Sequence, residues 1–237
     1  SHQNNENPKQ DSSEISYYTS DSVRIFGDLY EVNKNAASVL LFHQGGSNSR
    51  AEYKAIIPEL NQQGFNVLTI DQRTGGQLYG AYNRTVAEFA LNRYGYCDAY
   101  PDLEGALDYL INVGFSGNKI LWGSSYSAAL VIQLAHKRQD DVTAVLAFSP
   151  ASGDPMEGCQ PEEYFSDLQA PLLVLRPASE MEYDHVKQQF ELAQETGHET
   201  YIADPGVHGS SMLVSERIKG DAAQNWGVVN SFLSKFK

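Results

Sequence analysis

Hydrophobic positions in this chain fall into two patterns, short apolar runs and longer stretches with helical spacing, and the two alternate along most of its length. The first runs predict an antiparallel pair over Ile15–Thr19 and Val23–Glu31, turning at Ser20-Asp21-Ser22. Ser38–Phe42 reads as a buried strand, followed by a helix near Ala51–Gln63 that Gly64 ends, and by a strand over Asn66–Ile70. Asp71–Cys97 is a long connection expected to hold short helices. Leu103, Ala106, Leu107, Leu110 and Ile111 mark the apolar face of a helix over Tyr100–Val113. Beyond it lie a strand at Lys119–Trp122, a helix at Tyr126–Lys137 and a strand at Ala144–Phe148. A polar loop then leads to a strand at Leu172–Arg176, a helix near Asp184–Thr196, a strand at Glu199–Ala203 and a final helix around Ala222–Lys235. Alternation of this kind predicts an α/β fold, a mostly parallel sheet of about eight strands with helices on both faces. With no repeat or linker in sight, residues 15–237 are expected to form one domain. Residues 1–14, SHQNNENPKQDSSE, carry almost no apolar side chain and are expected to be a disordered arm.

Composition narrows the partners. Over 237 residues, 41% hydrophobic and 20% charged content is ordinary for a globular protein. The formal charge of −13 argues against a nucleic-acid ligand, which requires clustered Lys and Arg. No apolar run approaches the roughly 18 residues of a membrane span. No signal peptide stands in the sequence. A polar arm is expected either after a removed export signal or as a cloning remnant, with Ser1-His2 a candidate scar, and an exported setting is slightly favoured over a cytoplasmic one. Cys97 and Cys159 either pair in an oxidising compartment or remain free thiols. The absence of C-x₂-C and H-E-x-x-H patterns gives no metal site.

The chemistry begins where the strand at Lys119–Trp122 meets its helix. Gly123-Ser124-Ser125-Tyr126-Ser127 is close to the G-x-S-x-G turn that exposes a nucleophilic serine, with Ser127 in place of the second glycine. Residues two positions either side of such a nucleophile must be small, because strand and helix backbones pass close together there. Gly123 and Ser127 satisfy this for Ser125, whereas Trp122 and Tyr126 rule out Ser124, and Ser127 itself lies too far into the helix. A serine-rich helix cap is the alternative reading of the same five residues.

A serine nucleophile needs a base, and the base needs an orienting acid. In an open α/β sheet such groups gather at the carboxyl ends of the strands. His208, in the loop after the last strand, is the candidate base among six histidines. Glu180, just beyond the strand at Leu172–Arg176, is the candidate acid, with Glu182, Asp184 and Asp154 as competitors. The backbone amides expected to bind the oxyanion are those of Tyr126, directly after the nucleophile, and of Gln44 and Gly45 in the glycine-containing loop after Phe42. Tyr79, Tyr82, Phe89, Tyr94, Tyr96 and Tyr100 either wall a substrate pocket or pack the long connection onto the sheet.

With these residues in place, the chain resembles the α/β-hydrolase family, and within it the dienelactone-hydrolase-like and small serine esterase branch. LLFHQGGSNSRAEY at 40–53, NVLTIDQRTGG at 66–76, ILWGSSYSAAL at 120–130, PLLVLRPASE at 171–180 and the His208 loop carry the resemblance, in that order. It implies an α/β-hydrolase fold, acyl transfer through an acyl-serine, hydrolysis by water and no cofactor. The substrate it implies is a small-molecule ester. Two departures stand out. Ser127 replaces the second elbow glycine, and no G-x-x-D follows the seventh strand. Serine rather than cysteine at position 125 favours esterase-like activity over that of true dienelactone hydrolases. Only residues 151–170 separate the sixth and seventh strands, too few for a large cap domain. A thioesterase or peptidase using the same triad, and a non-catalytic binding protein on this fold, are the alternatives.

Overall fold

Valine, isoleucine, leucine and phenylalanine fill both faces of the central strands, as a sheet covered on two sides requires. The computed structural model describes residues 12–89 and 93–237, so positions 1–11 of the expected arm and 90–92 of the long connection lie outside the described residues. The strands are β1 Ser13–Tyr18, β2 Arg24–Tyr30, β3 Ser38–Phe42, β4 Asn66–Asp71, β5 Lys119–Ser124, β6 Ala144–Phe148, β7 Leu172–Pro177 and β8 Glu199–Ala203. Among the described residues they form one sheet in the order β1-β2-β4-β3-β5-β6-β7-β8. The β1–β2 and β2–β4 pairs are antiparallel and the remainder parallel.

The helices are α1 Ser49–Glu52, α2 Ile56–Gln62, α3 Arg84–Ala87, α4 Tyr100–Asn112, α5 Tyr126–Lys137, α6 Asp184–Glu195, α7 Ser215–Ile218 and α8 Ala223–Leu233. Apolar residues of α4, α5 and α6 share one core layer with Leu40, Phe42, Leu121, Val145 and Val174. Those of α2 and α8 share the other with Val39, Leu41, Ile120, Trp122 and Leu175. Two-residue alternation along each strand thus feeds two separate layers. No helix among the described residues is long and apolar enough to cross a membrane. The segment between β6 and β7 makes only two short 3₁₀ turns, Asp154–Met156 and Pro161–Asp167, and no cap domain is evident among the described residues.

Four local expectations differ from the structure. β1 begins at Ser13, inside the segment expected to be an arm, because Ser13 and Glu14 pair with Leu29 and Asp28 through the backbone and need no apolar side chain to do so. The helix expected near Ala51–Gln63 is split into α1 and α2. Tyr53 lies at the break, fully buried, with its hydroxyl donating to the Phe42 carbonyl at 2.6 Å. Ile111, expected on the buried stripe of α4, is 38% exposed. β5 continues past Gly123 to Ser124, which pairs with Phe148 of β6.

The register aligns the carboxyl ends. Phe42 pairs with Gly123, Ser124 with Phe148, Phe148 with Leu175 and Pro177 with Ala203. The chain leaves β3 toward β4 on one side and β5 toward β6 on the other, so the switch point of the sheet lies between β3 and β5. That is where an open α/β sheet offers a crevice.

Candidate active site

Ser125 lies at this switch point, between β5 and α5, with φ 60° and ψ −118°. A non-glycine residue rarely holds a positive φ, and such strain persists only where surrounding structure fixes it. Here the Ser125 N–H donates to the Phe148 carbonyl at 2.9 Å, and its own carbonyl accepts from Ala128, Ala129 and Ala151. The steric basis of the turn is visible at Gly123, where a Cβ would stand 2.5 Å from the Ser127 backbone. Ser127 is buried, donating to the His43 carbonyl and accepting from Gln72 Nε2 at 2.6 Å. Where the usual pattern has a second glycine, this serine ties α5 to the end of β3.

His208 and Glu180 come together although 28 residues separate them. Glu180 sits in the 3₁₀ turn Ala178–Glu182 that follows β7, and its Oε2 is 2.6 Å from His208 Nδ1. Glu180 Oε1 accepts from Arg176 Nη1 at 2.9 Å. The Arg176 guanidinium is buried and also donates to the Pro150 carbonyl and to Gln189 Oε1. Burial pushes the Glu180 carboxyl up, but His208, Arg176 and a hydrogen bond with Ser149 outweigh it and hold the carboxyl below its ordinary value. Ser149, itself at φ 53°, accepts the Gly209 N–H at 3.0 Å. One hydroxyl at the end of β6 therefore bears on both the acid and the histidine loop.

That loop is also fixed to β5. Ser124 Oγ accepts the Ser210 N–H at 3.0 Å and hydrogen-bonds the Ser210 hydroxyl, which accepts from Trp122 Nε1 at 2.9 Å. All three residues are buried. The neighbour of Ser125 is in this way bonded to the residue two beyond His208.

The loop after β3 supplies further amides. Gln44 N–H donates to Glu52 Oε1 at 3.0 Å, which removes it from the free donors among the three expected at the oxyanion position. The Tyr126 N–H belongs to the first turn of α5, where amides have no partner within the helix. Gly45 follows Gln44 in the same loop, and Tyr96 lies against both it and the Tyr126 ring. His43, at the end of β3, is buried. Its Nε2 accepts the Gln72 N–H at 2.9 Å, which leaves Nδ1 to donate to the Gln44 carbonyl at 2.8 Å. It is a brace for the loop.

Of the competing acids, Glu182 and Asp154 are exposed and Asp184 opens α6, also exposed. Cys97 and Cys159 pair as a disulfide with Cα atoms 5.7 Å apart. Among the described residues, no group of three or more His, Cys, Asp or Glu side chains is arranged to hold a metal ion. Arg176 and Ser149 went unmarked in the sequence. A lone charge inside the apolar run of β7 was a usable signal for the first, since a buried charge demands a partner. For Ser149 the signal was its place one residue beyond a strand end.

A family profile described as Hydrolase_4, serine aminopeptidase S33, matches residues 33–212. No curated protein matches the sequence. Among solved structures, an esterase from Pyrococcus furiosus superposes with a TM-score of 0.72 at 16% identity, covering 96% of this chain and 91% of that one. A thermostable carboxyl esterase from Bacillus coagulans gives 0.69 at 12% identity, with 95% and 98% covered. A dienelactone hydrolase from Anabaena variabilis gives 0.62 at 19%, with 81% and 85% covered. At these identities the likeness is one of fold.

Proposed function

We propose, for a chain that belongs to the Hydrolase_4 (serine aminopeptidase, S33) family of dienelactone-hydrolase-like α/β-hydrolases, that it cleaves carboxylic esters through an acyl-serine. The observation that carries this reading is the Glu180–His208 pair, 2.6 Å apart, at the same sheet edge as the strained Ser125 turn. Ser125 Oγ attacks the ester carbonyl carbon while His208 Nε2 takes its proton. Glu180 holds the imidazole by Nδ1 and stabilises the imidazolium that forms, without itself becoming protonated. The amides of Tyr126 and Gly45 donate to the oxyanion of the tetrahedral intermediate. Collapse breaks the bond to the leaving oxygen, which receives the proton from His208. Water then repeats the sequence on the acyl-serine, releasing the acid and restoring Ser125.

Fluorophosphonate labelling tests the nucleophile. The wild type is expected to label at one serine and Ser125→Ala at none. Labelling that survives in the variant assigns the wrong serine, and an unlabelled wild type favours a binding protein on this fold. The aminopeptidase in the family description motivates a second reading, amide cleavage with the same parts. Parallel turnover of ester, thioester and aminoacyl amide substrates separates the two.

A further inference from the structure

Two adjacent residues of the loop after β3 face opposite ways. The Gln44 side-chain oxygen is 3.1 Å from the position a Cβ would take on Gly209, so residue 44 points toward the loop that carries His208. A Cβ on Gly45 would instead meet Tyr96, 2.8 Å from its hydroxyl and 3.3 Å from Cε1 and Cζ. Tyr96 therefore occupies the volume that a side chain at position 45 would fill.

Its ring lies flat on that of Tyr126, with centroids 4.6 Å apart and 11° between the planes. Tyr126 is a fixed floor, fully buried, its hydroxyl donating to the Thr74 carbonyl at 2.7 Å and accepting from Gln72 Nε2 at 2.9 Å. From the other side Cys97, the next residue, is bonded to Cys159 of the segment after β6. Tyr96 is thus held against both residues whose amides are assigned to the oxyanion, yet it stays partly open to solvent.

The directions around the reacting carbon decide what Tyr96 meets. The oxyanion points to the amides, and the leaving oxygen must lie toward His208 to receive its proton. The acyl group is left on the side of the loop away from His208, which is the side that Tyr96 covers. Resting on the esterase reading above, we infer that Tyr96 is the specificity-determining residue of the acyl side. Its ring stands in for the side chain that Gly45 lacks and restricts the site to esters of short acyl groups.

The test compares wild type, Tyr96→Phe and Tyr96→Ala on 4-nitrophenyl acetate, butanoate and octanoate. Tyr96→Ala is expected to raise the octanoate-to-acetate ratio of kcat/KM about tenfold, the scale at which a hydrophobic pocket discriminates chain length. Tyr96→Phe, which keeps the ring, is expected to keep the wild-type ratio. An unchanged ratio in Tyr96→Ala overturns the inference, as does a shift in Tyr96→Phe equal to that in Tyr96→Ala. Fluorophosphonate labelling of each protein separates the two levels. An unlabelled wild type sinks the hydrolase reading, whereas a fully labelled Tyr96→Ala with wild-type preference sinks only the role of Tyr96. Should Tyr96→Ala not fold, Tyr96→Leu preserves apolar cover over Tyr126 and is expected to shift the ratio the same way, about threefold. No shift in that variant overturns the inference equally.

Discussion

Glu180 presents one carboxylate oxygen to His208 Nδ1 at 2.6 Å and the other to Arg176 Nη1 at 2.9 Å. The histidine therefore meets an acceptor whose second oxygen is already held, and the carboxylate cannot rotate without losing both bonds. Replacing Glu180 by Gln keeps volume but offers an amide in place of an oxygen, which disfavours the tautomer that leaves Nε2 free. Glu180→Gln is expected to lower kcat on an ester substrate by about 10³–10⁴-fold. Glu182→Gln and Asp154→Asn, on exposed side chains, are expected to stay near wild type. Steady-state kinetics on the three variants checks the assignment, and near-wild-type turnover in Glu180→Gln would remove Glu180 from the mechanism.

Arg176 is one of the groups that hold the charge of Glu180. Burial presses the Glu180 carboxyl upward, and His208, Arg176 and Ser149 together hold it below its ordinary value. Without the guanidinium, burial is opposed by fewer groups and the carboxyl rises. Glu180 and His208 titrate as a pair, and losing the adjacent positive charge favours the protonated pair. The acid limb of kcat/KM should therefore move to higher pH in Arg176→Met and return part of the way in Arg176→Lys, which restores the charge but not the fork. A pH–rate profile reads this directly. A general loss of packing would scale the profile without moving its limb.

Sequence made some of this site legible and not the rest, for reasons that differ by residue. The turn at Ser125 could be read because its constraint is local, with Gly123 and Ser127 close together in sequence and in space. The α/β alternation could be read because each central strand is apolar on both faces. Glu180 could not be separated from Glu182, Asp184 and Asp154, because what distinguishes it are its contacts with the Arg176 guanidinium and the His208 ring, which the sequence does not display. Ser149 meets the Gly209 N–H at 3.0 Å across 60 residues of chain, a contact between the loops after β6 and β8 that only the folded sheet brings together. The split between α1 and α2 was equally hidden, since it depends on where the Tyr53 hydroxyl finds the Phe42 carbonyl.

The Ser125 turn carries a stability cost that a substitution can release. A non-glycine residue in a sparsely populated backbone region costs about 1–3 kcal/mol. Glycine removes that cost but adds about 0.4–1 kcal/mol of unfolded-chain entropy. Ser125→Gly is thus expected to be more stable than wild type by about 1 kcal/mol. Ser125→Ala, which keeps the Cβ, is expected to stay within about 0.5 kcal/mol. Denaturant midpoints at constant slope measure both. Equal stability of the glycine and alanine variants would show that the φ of 60° is not a strained state.

Asp71 links acid stability to the loop that holds the Gly45 amide. Its Oδ1 accepts the Ser49 N–H and hydroxyl, both at 2.8 Å, and its Oδ2 accepts from Arg84 N at 3.0 Å and Nε at 2.8 Å. Ser49 opens α1 directly after that loop, so the carboxylate fixes the loop's far end. Burial presses the Asp71 carboxyl upward, but Arg84, His43 and the two backbone donors prevail and hold it below its ordinary value. A carboxyl depressed in the folded state contributes stability that is present above its unfolded value of about 4 and lost as pH falls through the folded one. Asp71→Asn removes one of two buried carboxylate partners of Arg84, which keeps Asp28 at 2.9 Å, and is expected to cost about 2 kcal/mol at pH 7. The gap between wild type and variant should then close as pH falls below about 4, because protonation removes the same charge from the wild type. Thermal or urea unfolding of both proteins from pH 7 to pH 3 tests the sign, and a gap that widens toward acid would refute it.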